Sequence, residues 1–391
     1  MSIRRIFYMA GPGNVLGTYE CWKAGKPDPS QTSTTYSSQF FDLCRELDIE
    51  AYVVASNPNR ALVRDGRFTI EHRPPPRPSS GIAYHAGWTV YASGLAATAL
   101  RYRADVVLAM QTERLFPYLL NRAFGTRLIP SCHCVLWPKH GRPGHAASWF
   151  YRLDALVYRR FSRAVLSISQ DVTDQIEQLC GDSHSPVYPF LPSYDDEIFE
   201  GVDAPSLSVP FRLLYAGRVE RNKGVFELLD MMRYLTSRGF SEVELDLCGA
   251  GGALEELQKA VAKQGLTGRV TLHGHCDRGK MRRLIGESHC FVVPTRSDFV
   301  EGFNKVVAEA VLARRPVVTS DVCPALSVVA DAAIAAPRDS GAGFGESVAK
   351  LVSNQLLYSS KVAACDRLRR QFMDPERSWK SAAKRALNIV D

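Results

Sequence analysis

No apolar run in the 391 residues approaches the roughly 20 needed to span a bilayer. Ile6–Ala10 is a five-residue apolar run closed by Gly11-Pro12-Gly13, too short for the core of a secretory signal. The expectation is a cytoplasmic protein that touches a membrane, if it does, only peripherally at the inner face. Ten cysteines include no Cys-x2-Cys pair, and Cys132 and Cys134, the closest two, stand at a strand end. Free thiols and no metal site are expected. The dinucleotide fingerprint Gly-x-Gly-x-x-Gly is also missing, since Gly11, Gly13 and Gly17 have the wrong spacing. No side chain presents itself as a covalent nucleophile.

What remains is an ordinary globular composition, 46% apolar and 23% charged, long enough for two or three domains. The net charge of +7 is concentrated: residues 101–170 hold eleven Arg/Lys against three Asp/Glu. On charge alone, nucleic acid, an anionic membrane and phosphorylated substrates are all admissible partners. Within that region, residues 149–163 form an aromatic, basic helix. The pattern predicts Phe150, Leu153, Val157 and Phe161 against a sheet with the arginines in solvent, and a membrane-facing surface is the competing reading.

Buried-strand patterns recur at 6–10, 51–55, 67–72, 105–110, 127–133, 164–169 and 187–190. Helical stretches fall over 34–47, 83–102, 112–124, 145–160 and 171–180. Such alternation predicts an α/β fold with doubly wound parallel sheets. Five prolines between Pro186 and Pro210 mark a boundary. The expected domains are 1–205 and 206–372, with a last helix over 373–391. The first strand is followed by Gly13 and Asn14, either an ordinary tight turn or amides aimed at a phosphate. His133 ends a strand, where open α/β sheets present ligand-binding groups, though a core or capping histidine is the alternative.

The second half is organised around Arg296–Pro316. A buried strand from Cys290 feeds a polar loop, and Glu301-Gly302-Phe303-Asn304 is expected to open a helix that carries Glu309 and stops before Pro316. Free amides of residues 302–304 at a helix start would suit phosphate or sugar hydroxyls. Eight residues of helix separate the glutamates by about 12 Å, too far for one acid/base couple but suited to a long ligand touched twice. Upstream, Ala216-Gly-Arg-Val-Glu-Arg-Asn-Lys-Gly224 places Arg218 and Lys223 around a turn at a helix start, two cations fit for one diphosphate.

These two segments resemble the family 4 retaining glycosyltransferases. Glu301 and Glu309 match that family's paired glutamates, Val317–Ser320 the strand after them, and residues 216–224 its Gly-Arg…Lys-Gly diphosphate clamp. The resemblance covers residues 211–336 well and the N-terminal half in outline. Arg314 departs from it, standing where the family has a helix-ending glycine.

The resemblance implies GT-B architecture, two Rossmann-like domains with a cleft between them, the last helix crossing back to the first. It implies a hexosyl transfer from a nucleotide sugar, without metal or other cofactor and without nucleic acid. The acceptor would be lipid-linked or a polysaccharide precursor of the cell surface. Arg218 and Lys223 would stabilise the leaving diphosphate, and Glu301 with the amides of Gly302, Phe303 and Asn304 would position the sugar. Glu309 would bind ribose, the loop of His275 the base, and His133 the donor sugar. A sugar-nucleotide epimerase and a non-catalytic nucleotide-sugar binder are the alternatives.

Overall fold

A computed structural model describes residues 3–111, 114–181, 183–205 and 207–388. The chain forms two compact units, one of Met1–Trp137, Arg142–Tyr194 and Asp374–Asp391, the other of Pro138–Gly141 and Asp195–Met373.

The first unit holds eight strands: β1 (Arg5–Pro12), β2 (Glu50–Ser56), β3 (Ala61–Asp65), β4 (Phe68–Arg73), β5 (Val106–Met110), β6 (Arg127–Cys132), β7 (Val165–Ser167) and β8 (Val187–Pro189). Their order is β3-β4-β2-β1-β5-β6-β7-β8, with β3 antiparallel to β4 and the other described pairings parallel. Helices cover both faces, so Ile6–Met9 and Val106–Ala109 are wholly buried and read as continuous apolar runs. The hairpin partner β3 was not expected. Its Leu62 and Val63 are exposed at the sheet edge, so no alternation marks it, and the Asp65-Gly66 turn is its one signal.

The second unit holds β9 (Phe211–Ala216), β10 (Val243–Cys248), β11 (Val270–Gly274), β12 (Cys290–Val293), β13 (Val317–Ser320) and β14 (Ala333–Ala336), ordered β11-β10-β9-β12-β13-β14. This is the doubly wound dinucleotide-fold order, reversing between β9 and β12. The two sheets are the α/β architecture that the alternation predicted. Two helices absent from that reading, Gly341–Ser353 and Gln355–Leu368, complete the unit. The first carries Phe344, Val348 and Leu351 into the core.

The second unit begins at Asp195 instead of after 205. Segment 200–205 is tied to it by guanidinium groups: Arg314 donates to the Val202 carbonyl (3.1 Å) and Arg315 to that of Asp203 (2.5 Å). Ser206, at the expected boundary, lies outside the described residues. So do Thr112 and Glu113 of the expected helix 112–124, of which Phe116–Tyr118 forms a 3-10 turn and Leu119–Ala123 a short helix.

The last helix spans Trp379–Leu387, capped by Ser378, and Ile389–Asp391 lie outside the described residues. It belongs to the first unit. Trp379 is fully buried beside Tyr8 (5.6 Å between ring centres), and Lys380 and Lys384 pair with Glu46. Among the described residues no helix is long and apolar enough to cross a membrane.

Candidate functional site

In the second unit, β9 and β12 are neighbours at the point of order reversal, so the loops leaving their carboxyl ends lie side by side. Open parallel sheets bind ligands in that place. After β9 the chain passes Gly217 and Arg218 into a 3-10 turn, Arg221–Lys223, and Gly224 starts the helix Val225–Ser237 at φ 77°. A Cβ on Gly224 would lie 1.9 Å from the Pro294 carbonyl oxygen just beyond β12, so only glycine allows this approach.

The consequence is that two motifs 78 residues apart meet: Lys223 Nζ donates to Glu301 Oε2 at 2.7 Å. Both side chains are sheltered, 15% and 19% exposed. The ring of Phe299 lies 3.7 Å from the Lys223 ammonium and 5.8 Å from the Arg218 guanidinium carbon. Arg218 is exposed, pairs with Glu220 (3.2 Å), and has its carbonyl held by the Tyr215 hydroxyl (2.7 Å). The Tyr215 phenol is kept neutral, its pKa pushed up mainly by burial.

Residues 301–304 do not open the helix as expected. It spans Lys305–Leu312, and Asn304 stands before it in left-handed backbone, φ 67°, with Nδ2 donating to Thr295 Oγ1 (3.2 Å). Glu301 is therefore a loop residue, and a separation from Glu309 measured along one helix axis does not apply. Among the described residues' backbone–backbone hydrogen bonds, none is donated by the amides of Gly302, Phe303 or Asn304. The Phe303 ring is buried against Phe372 (6.0 Å), so this residue offers its backbone alone. Glu309 sits one turn beyond Lys305. Burial lowers the Lys305 pKa, and the Glu309 carboxylate opposes that shift.

His275 is exposed in the loop after β11. Its neighbour His273 pairs with Asp246 at 2.6 Å. Reading the sequence missed His273, Lys305 and Phe299. Phe299 carried a signal: an aromatic residue in a polar loop between two motifs, with no periodic pattern to assign it to a core.

In the first unit the candidates lie at the carboxyl ends of β1 and β6. Gly11 (φ 77°) is the glycine the turn requires, since a Cβ there would lie 2.1 Å from Met110 Sδ at the end of β5. Gly13 donates to the Ser56 carbonyl (3.4 Å), so its amide is directed within the protein. Asn14 caps the helix Val15–Lys23, its Oδ1 accepting from the Gly17 amide (3.0 Å). His133 follows β6 directly. Its ring lies between Tyr36 (4.4 Å) and Phe190 (5.2 Å), and Nε2 is 2.8 Å from Ser131 Oγ, which accepts from Trp379 Nε1 (2.9 Å).

All ten cysteines are free, Cys132 buried and Cys134 exposed. Among the described residues no group of three or more His, Cys, Asp and Glu is placed to hold a metal ion.

Comparison with known proteins fits this geometry. Residues 205–370 match the family described as glycosyl transferases group 1, and residues 33–186 match the glycosyl transferase 4-like domain. The alpha-D-kanosaminyltransferase of Streptomyces kanamyceticus is 25% identical over 53% of this chain and 56% of its own length. The GDP-mannose:cellobiosyl-diphosphopolyprenol alpha-mannosyltransferase of Xanthomonas oryzae is 26% identical over 56% of this chain and 57% of its own. The aligned region thus spans little more than half of each relative. The crystal structure of Anabaena HepE in complex with UDP superposes with a TM-score of 0.67 at 15% identity, covering 99% of this chain and 98% of that one. With the cation loop and both glutamates inside the match over residues 205–370, and the two matches together covering most of the sequence, the protein belongs to the family 4 glycosyltransferases of GT-B fold.

Proposed function

We propose that the protein is a retaining hexosyltransferase that moves a sugar from a nucleotide-sugar donor to a lipid-linked or saccharide acceptor in cell-surface glycan assembly. It would work at the cytoplasmic side of a membrane and without a metal ion. The observation that carries this reading is the meeting of Lys223 with Glu301, beside Arg218, where the second sheet reverses order. Supporting it, HepE was crystallised with UDP, and the Xanthomonas relative is named for GDP-mannose and a diphosphopolyprenol acceptor.

In this reading Arg218 and Lys223 take the developing charge of the diphosphate, the task a divalent cation performs elsewhere. Glu301 and the amides of residues 302–304 hold the sugar, Glu309 the ribose, and the loop of His275 the base. The bond from the sugar's anomeric carbon to the diphosphate oxygen breaks. A bond to the acceptor oxygen forms on the same face, and the acceptor proton passes to the leaving phosphate.

A panel of labelled nucleotide sugars tests the reading. Acceptor-dependent release of nucleoside diphosphate supports it, whereas epimerised donor, or binding without turnover, replaces it with another function. Lys223→Ala and Arg218→Ala should each lower turnover about 10²–10³-fold with unchanged melting temperature. Activity should survive EDTA, and loss that Mg²⁺ or Mn²⁺ restores would count against metal-free stabilisation of the leaving group.

A further inference from the structure

The ring of Phe299 is presented to both clamp cations by a loop that the core does not hold. Phe299 is half-buried, between the end of β12 and Glu301. Polar bonds fix this loop: the Arg296 amide donates to the Asn222 carbonyl (3.1 Å), the Phe299 amide to the Arg296 carbonyl (3.2 Å) and the Ser297 amide to Asp339 (3.1 Å). The Arg296 guanidinium pairs with Glu227. Asn222 directly precedes Lys223, so the strap that presents the ring is tied to the turn that presents the ammonium.

Two neighbouring cations repel, and an ammonium on a four-carbon stem does not hold a position unaided. Glu301 accepts one of the three Lys223 N–H groups. A second carboxylate would fix the ammonium further but would cancel the charge that a diphosphate needs. An aromatic face attracts the cation through its quadrupole, uses no N–H, and leaves the charge in place.

We infer that Phe299 is a positioning residue of the diphosphate site: its π face holds the Lys223 ammonium, and more loosely the Arg218 guanidinium, where the oxygens of a nucleoside diphosphate arrive. The inference rests on the nucleotide-sugar reading above and adds to it a residue that neither motif contains.

Calorimetric titration with UDP and GDP tests it, using the native chain, Phe299→Tyr, Phe299→Leu, and chains carrying 4-fluoro- or 3,4,5-trifluorophenylalanine at this position. Fluorine drains the ring face while nearly preserving its shape, so a packing role would be unmoved. The dissociation constant should rise stepwise with fluorine number, reaching about five- to thirty-fold for the trifluoro ring and for leucine, with tyrosine near native. Uridine and guanosine, which carry no phosphate, should show no trend. A flat fluorine series with tight native binding, or an equal loss for the nucleosides, overturns the role of the ring and leaves the donor reading standing. Failure of the native chain to bind either diphosphate overturns that reading, and the inference with it.

Discussion

Arg314 ends the helix Lys305–Leu312 at φ 60°, backbone that costs a residue with a Cβ about 1–2 kcal/mol. The bonding there is a Schellman motif: the Arg315 amide reaches back to the Ala310 carbonyl (2.8 Å) and the Arg314 amide to that of Val311 (3.0 Å). The position is conformationally a glycine position occupied by arginine. Its side chain offsets the cost by pairing with Asp366 (2.6 Å) and donating to the Val202 carbonyl. Beside it Arg315 is buried, with its guanidinium on the carbonyls of Ser288, Asp203, Ala313 and Gly286, and burial draws its pKa down to about 10. Arg314→Gly and Arg314→Ala both lose the guanidinium contacts, and only alanine keeps the left-handed cost. Arg314→Gly should therefore be more stable than Arg314→Ala by about 1 kcal/mol in urea unfolding. Coincident midpoints would show that the backbone at 314 relaxes and that the capping argument fails.

At the scale of elements, legibility followed burial. Strands covered on both faces, such as β1 and β5, announce themselves as continuous apolar runs, and the sequence reading placed each close to its observed bounds. The helix Val15–Lys23 was invisible for the opposite reason. Its sequence, Val-Leu-Gly-Thr-Tyr-Glu-Cys-Trp-Lys, is rich in weak helix formers, and it stands because Asn14 caps it and Val15, Thr18 and Tyr19 are buried. The start of the helix after Glu301 was misread because one left-handed residue, Asn304, leaves no mark on hydrophobic periodicity. Each motif was legible, but their meeting was not, since pairing of Lys223 with Glu301 follows from strand order and from the room left by Gly224. The last helix shows how one side chain fixes an element. Trp379→Phe shrinks a fully buried ring and removes the donor to Ser131 Oγ, which should cost about 1–3 kcal/mol in thermal unfolding. A Tm within experimental error of the native value would mean that the helix is held by Lys380 and Lys384 on Glu46 instead.

At the scale of the whole molecule, the uneven charge found in the sequence acquires a surface. The helix expected over 145–160 spans His145–Leu156 and widens into a π turn over Val157–Phe161. The extra residue per turn shifts the phase, so Tyr158 and not Phe161 points inward. Trp149, Leu156 and Phe161 are exposed at 60%, 41% and 37%. Arg152, Arg159, Arg160 and Arg163 are exposed among them. Apolar rings interspersed with arginines are the composition that inserts shallowly at an anionic interface. Each such base contributes about 1 kcal/mol near an anionic leaflet, so four give binding that salt should weaken steeply. The native protein is expected to float with vesicles containing phosphatidylserine at low salt and to remain behind with neutral ones. The triple variant Arg159→Glu, Arg160→Glu, Arg163→Glu should lose the preference. The idea is refuted if native protein does not distinguish the two vesicle types, or if the triple variant floats as well as the native chain, since these arginines would then be ordinary solvated surface.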